Sequence, residues 1–290
     1  MNFIFRRLPN ILADSIVLIF ALIYKIITLN LFLSISNKEI NLKPVAILGN
    51  GPSLKKDIVE VIDKKNEMDI YAVNYFANTD YFKELKPSYY FLVDPVFWKS
   101  GINSDIKENN EKLIRNLMNV DWKMNLICRT EGYFEISKRL KLNSNLSIEK
   151  IKSNWYDLRS EKANIFALKQ RLCSPNFVNV LIAAIWHALI NERKNINIYG
   201  ADFSSFKELY VDQKKNTVFT SSSHFYKESF DLASIKEKYI GIPPKRINVR
   251  FYQIWQGFRQ MFFLSKVAQS WGAKVINKSS FSYIDSFDRS

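Results

Sequence analysis

A ten-residue stretch, Val45 to Leu54 (VAILGNGPSL), concentrates residue types suited to hold a phosphate. Four apolar residues run without polar alternation into Gly49-Asn50-Gly51, and Pro52-Ser53 follow. An unbroken apolar run suits a strand buried on both faces of a parallel sheet. Glycine permits a sharp turn and a close backbone approach to a ligand, and Pro52 suits the first turn of a helix. Strand, glycine turn and helix start together predict an anion pocket at Gly49, Asn50, Gly51 and Ser53. Free N–H groups and the positive end of the helix dipole favour negative charge there. The spacing matches neither GxGxxG nor a P-loop with its lysine, and an ordinary strand-to-helix turn uses the same residues.

The second group able to do chemistry is histidine, of which the chain has two. His224 follows the polar stretch Ser221–Ser223 and stands beside Phe225-Tyr226. These surroundings predict an accessible imidazole that removes a proton near neutral pH; binding phosphate or capping a helix is the alternative role. His187 lies inside LIAAIWHALI and reads as a structural helix residue. The sequence contains no Asp-x-Asp, the pair on which metal-dependent sugar transferases commonly hold a divalent ion. Stabilising a leaving phosphate would then fall to helix N–H groups, tyrosine hydroxyls and cations.

The elements that must position these residues alternate. Helical spacing is predicted over 54–64 and 106–118, and strands over 69–74, 88–94 and 122–128. Residues 140–163 show little periodicity. An apolar helix is predicted over 177–190, a strand over 195–199, a long polar loop over 204–223, helices over 230–239 and 250–271, and a last strand over 273–277. Strands alternating with helices predict an α/β fold, a Rossmann-like doubly wound and mainly parallel sheet. Asn50, Asn74 and Asp94 end three of the strands, which places them together outside the carboxyl edge where ligands bind in open α/β sheets. Asp202 ends a fourth and either orients the site or caps a turn. The stripe Phe251, Trp255, Phe258, Phe262 has helical spacing and reads as core or membrane-contact surface.

The 290 residues carry a formal net charge of +14, which points to an anionic partner. No block of five basic residues occurs, which argues against nucleic acid. Cys128 and Cys173 have no CxxC or metal-ligand spacing, as expected for a reducing, cytoplasmic compartment. Residues 11–35 are almost all apolar, follow Arg6 and Arg7, and are broken by Asp14 and Lys25. Residues 1–40 are therefore read as a membrane-associating segment ahead of one domain over 41–290, on the cytoplasmic face of the inner membrane. A helix lying on the bilayer surface is the first reading. A single tilted span, a signal peptide cleaved at Ser34-Ile35-Ser36, and a helix packed on the domain are the others.

Six short motifs in order resemble the bacterial sialyltransferases of glycosyltransferase family 42. They are ILGNGPSL at 47–54, Val73-Asn74-Tyr75-Phe76, Asp94-Pro95 where the family has Asn-Pro, Gln170 to Ser174 before an apolar helix, Ile198 to Phe203, and Ser222 to Tyr226. The last string is also similar to sialyltransferases that extend O-antigens. The resemblance implies a metal-independent glycosyltransferase without a cofactor, a Rossmann-like domain and a small lid around 204–228. Its donor would be CMP-sialic acid or a similar CMP-sugar, and its acceptor a glycan or lipid-linked glycan of lipopolysaccharide or capsule. It further implies that Asn50 and Asn74 contact the donor, that Arg171 and Ser174 face its carboxylate or phosphate, that Tyr210 supports the leaving phosphate, and that His224 is the base. Asp94 stands where the family has an amide, and Ser204 where it has a second tyrosine. Two alternatives stand beside it: a pterin diphosphokinase-like phosphotransferase, which shares the opening turn, and a non-catalytic nucleotide-sugar-binding membrane protein. A homo-oligomer is compatible with all of them.

Overall fold

The computed structural model describes residues 9–31, 43–141, 143–214, 217–220 and 246–289. In chain order the elements are α1 (Asn10–Leu31), β1 (Val45–Leu48), α2 (Leu54–Asp63), β2 (Asp69–Val73), α3 (Tyr81–Leu85), β3 (Tyr89–Leu92), α4 (Ser104–Met118), β4 (Met124–Arg129), α5 (Tyr133–Leu140) and β5 (Leu146–Ile151). They continue as α6 (Glu161–Lys169), α7 (Val180–Ile190), β6 (Asn195–Tyr199), β7 (Leu209–Asp212), β8 (Thr217–Thr220), α8 (Ile247–Ser270), β9 (Lys274–Asn277) and β10 (Asp288–Arg289).

Among the described residues, eight strands form one parallel sheet in the order β10-β9-β6-β1-β2-β3-β4-β5. The alternation of side chains along a strand divides β1 between two cores. Val45 and Ile47 face α6, α7 and α8, whereas Ala46 and Leu48 face α2, α3, α4 and α5. Burial on both faces is why VAIL carries no polar residue. Leu54, Ile58 and Val61 recur on one side of α2 and fill the second core. His187 is buried in α7 with the rings of Tyr71, Tyr89 and Phe91 at 5.1–5.7 Å, the structural placement its apolar context predicts.

Three stretches differ from the sequence reading. The aperiodic region holds β5, whose mixed polar pattern fits an edge strand exposed on one side. The polar stretch after residue 204 is not a plain loop: β7 and β8 pair antiparallel, with Tyr210 opposite Phe219. The strand at 274–277 is not the last, because Asp288 and Arg289 add β10 beside it. The helix expected over 230–239 lies outside the described residues.

Candidate functional site

The sheet reverses its order at β1. From β1 the chain steps outward through β2 to β5, then returns to the other side of β1 as β6. Ligands of open α/β sheets bind outside the carboxyl ends at such a reversal. Leu48 pairs with Ala72, so Asn50 and Asn74 each follow a paired residue by two positions, just past the carboxyl ends of neighbouring strands. Val73 pairs with Phe91, so Asp94 follows a paired residue of β3 by three positions. The sheet thus brings Asn50, Asn74, Asp94 and Asp202 to one edge.

The β1–α2 turn is clasped to the end of β6. Gly49 N donates to Tyr199 O at 2.7 Å and Gly51 N to Gly200 O at 2.8 Å, continuing the ladder past both strands. A Cβ at Gly49 would lie 2.4 Å from the Gly200 carbonyl oxygen, and one at Gly51 would lie 2.0 Å from Asp202 Oδ1. These glycines let two loops of the same chain meet. Ser53 Oγ donates to Asp202 Oδ1 at 2.6 Å, and Ser53 N donates to the same carboxylate at 3.2 and 3.3 Å. The first-turn amide expected to face a phosphate is therefore engaged by the protein's own carboxylate. Burial raises the Asp202 carboxyl above the ordinary range, the Ser53 hydrogen bonds oppose this, and nearby Asp57 adds to the rise. Asp57 is buried too and accepts from Gly200 N at 3.2 Å and Ser280 N at 2.9 Å. Two carboxylates at the head of α2 make this end of the crevice suited to hydroxyl donors rather than to phosphate.

Asn50 lies between the two clasping glycines and is 9% exposed, yet neither Nδ2 nor Oδ1 has a hydrogen-bond partner among the described residues. Asn74 adopts φ of 52°, a left-handed conformation that asparagine tolerates, and its Oδ1 is likewise buried without a partner. Buried amides without partners are uncommon, because each forgoes the bonds it makes in water. Both therefore keep hydrogen-bonding capacity unmatched at the carboxyl edge of the sheet. Asp94 differs: its Oδ1 accepts from Val96 N at 3.1 Å and caps the short 3-10 turn Pro95–Phe97.

The remaining predicted residues divide. Ser174 lies toward the same edge, where its hydroxyl donates to Lys152 O at 2.7 Å and accepts from Asn154 N at 2.9 Å, binding the segment before α7 to the segment after β5. Tyr210 is on β7, about one-third exposed. His224 lies outside the described residues. Arg171 does not join the group. Its guanidinium stacks on Trp271 at 4.9 Å. Trp271 ends α8 just before β9 begins, and its carbonyl accepts from Lys194, the residue before β6. That is the amino edge of the sheet, opposite the crevice. Arg171→Ala is accordingly expected to change affinity for a crevice ligand less than about twofold, because only charges across the width of the domain separate them. Titration calorimetry with CMP on both proteins checks this.

Two residues that sequence reading passed over belong to the surroundings of the crevice. Gln256 and Gln260 on α8 are 1% and 0% exposed, and Gln256 Oε1 and Gln260 Nε2 have no partner among the described residues. Gln256 Nε2 donates to Tyr252 OH at 2.7 Å, and Gln260 Oε1 accepts from Asn176 N at 3.4 Å. Gly257, between them, packs against Phe203, the neighbour of Asp202. The available signal was two glutamines four apart inside an aromatic helix. The aromatic stripe itself splits: Phe251 and Trp255 are half exposed, whereas Phe258 packs on Phe203 with ring centroids 5.0 Å apart.

No protein-family model matches the sequence, and no curated protein matches it. Among solved structures, the MAf glycosyltransferase from Magnetospirillum magneticum AMB-1 aligns with a TM-score of 0.47 at 13% identity, over 88% of this chain and 34% of that one. This chain therefore spans about a third of that protein's length.

Proposed function

We propose that the protein is a metal-independent glycosyltransferase that takes a CMP-sugar, CMP-sialic acid or a relative, into the crevice at the carboxyl ends of β1, β2 and β6. It transfers the sugar to a glycan of a cell-surface lipopolysaccharide or capsule. The observation that carries this reading is the Asn50 amide, buried and unpartnered beside the sheet reversal. An amide offers one face that donates and one that accepts, the complement of a pyrimidine edge or a pair of sugar hydroxyls. Asn74 supplies a second acceptor at the same edge. Asp202, held by Ser53, orients a hydroxyl of the donor or the acceptor. The metal independence rests on the sequence resemblance and the missing Asp-x-Asp pair. His224 removes the acceptor proton as the acceptor oxygen attacks the anomeric carbon, and the bond to the CMP phosphate breaks. Tyr210 donates to the departing phosphate.

The test is calorimetry with CMP and with ATP–magnesium on wild type and Asn50→Ala. CMP should bind wild type and bind the variant roughly 10- to 100-fold more weakly, since truncation leaves ligand groups unpaired. The unfolding midpoint of Asn50→Ala should be unchanged or higher, because an unmatched buried amide is removed. ATP–magnesium binding without CMP binding would overturn the reading in favour of a phosphotransferase.

A further inference from the structure

The two charges that interrupt the apolar amino-terminal helix are not on its open face. Asp14 is buried, and its carboxylate accepts from Arg159 N and Ser160 N at 2.9 Å each, at the start of α6. Lys25 Nζ donates to Gln170 O at 2.6 Å, just past the end of α6. The carboxylate thus meets the positive end of α6 and the ammonium its negative end. Both helices advance about 15 Å between these clamps, so they lie side by side and parallel. Val17, Leu18 and Ala21 complete the inner stripe between the clamps and pack on the core. The rest of α1 points outward: Ile11 is 81% exposed, Phe20 67%, and Ile19, Ile23, Tyr24 and Ile27 about half.

α6 carries half-exposed Phe166 and also packs on α8, whose Phe251, Tyr252 and Trp255 are half exposed. Exposed Arg159, Lys162 and Arg171 lie along the α6 side, against one exposed carboxylate on that helix, Glu161. An apolar face of this length rimmed by cations, on a chain of net charge +14, matches one leaflet of an anionic bilayer. α1 is also long and apolar enough to cross a membrane. Crossing would strip Asp14 and Lys25 of their partners inside hydrocarbon, and docking on α6 keeps both bonded.

We propose that α1, docked on α6 through Asp14 and Lys25, is an in-plane membrane-binding facet that enters one leaflet of an anionic bilayer without crossing it. α6 follows β5, so its first turn lies at the carboxyl edge of the sheet. The half-exposed aromatics of α8 lie in its first half, at that same edge. The facet therefore ends beside the crevice, and the crevice opens at headgroup level, where a lipid-linked acceptor presents its glycan. The binding mode does not depend on which donor the crevice takes.

The experiment adds full-length protein to preformed vesicles of phosphatidylglycerol and phosphatidylcholine, and to phosphatidylcholine alone. Binding should require the acidic lipid. Phe20→Asp with Ile23→Asp should weaken partitioning at least about 100-fold at an unchanged unfolding midpoint, because both side chains are open to solvent in the free protein. Asn10→Cys and Asn30→Cys, made singly, should both react with a membrane-impermeant maleimide on bound protein. Protection of one end marks a spanning helix and overturns the proposal, as does absence of vesicle binding or wild-type binding by the double aspartate variant. Should that variant misfold, the two labelling results decide alone. CMP affinity measured without vesicles reports on the donor separately.

Discussion

Gly49→Ala should destabilise the protein by on the order of 3 kcal/mol. The added carbon would sit 2.4 Å from the Gly200 carbonyl oxygen and 2.9 Å from its carbon, both main-chain atoms. Main chain on both sides leaves no rotamer to turn aside. Relief requires parting β1 from β6 where Gly49 N donates to Tyr199 O. Gly272→Ala is the control. Its φ is 65° but nothing lies within 4 Å of the added carbon, so only the left-handed backbone is penalised, by about 1 kcal/mol. Urea unfolding of the three proteins measures both. A loss at Gly49 no larger than at Gly272 would mean that the two loops are not clasped.

The largest expected effect on activity is at His224. Once a donor and an acceptor are in hand, His224→Ala should lower turnover roughly 10²- to 10⁴-fold, the range typical of a positioned general base. Donor affinity should stay near wild type, because a base acts on the acceptor. The rate of wild type should fall on the acid side, since an ordinary imidazole is protonated below about pH 6.5 and then cannot accept a proton. His187→Ala should keep that acid limb. Pairs of pH–rate profiles with CMP titrations separate the outcomes. Equal loss of CMP affinity would make His224 a phosphate ligand, and near-wild-type turnover would remove it from the chemistry.

The parts of the architecture legible in the sequence were those under the strongest patterning. VAIL and most of DIYAV are apolar runs that suit a sheet covered on both faces, NINIY alternates as a half-covered strand does, and each emerged within a residue or two. Polar residues closing such runs fixed Asn50, Asn74 and Asp202 at one edge. β5 was not legible because a sheet edge tolerates LSIEKI, half polar and half apolar. The position of Arg171 was not legible either. The sequence places it before an apolar helix, but the chain reaches the amino edge there and turns back along residues 172–179 before α7 starts. Only three-dimensional pairing could reveal that Asp202 closes over Ser53, because almost the whole sheet lies between them in sequence. The docking stripe of α1 was partly readable, since Asp14, Val17, Leu18, Ala21 and Lys25 fall on one side of a helix.

The pairing of β1 with β6 also sets the order of events during synthesis. β2 to β5 can add in succession on one side of β1 as the chain emerges, but the other side stays open until Asn195–Tyr199 leave the ribosome. Through that interval β1 is an edge strand of four apolar residues with its peptide groups unmatched on one side, a template for pairing with another chain. Long-range parallel pairing is slow to form, because the loop must close before its contacts repay the lost chain entropy. For most of that interval α6 has not yet emerged either, so the inner stripe of α1 waits uncovered beside the open strand and adds to the apolar surface exposed before the fold closes.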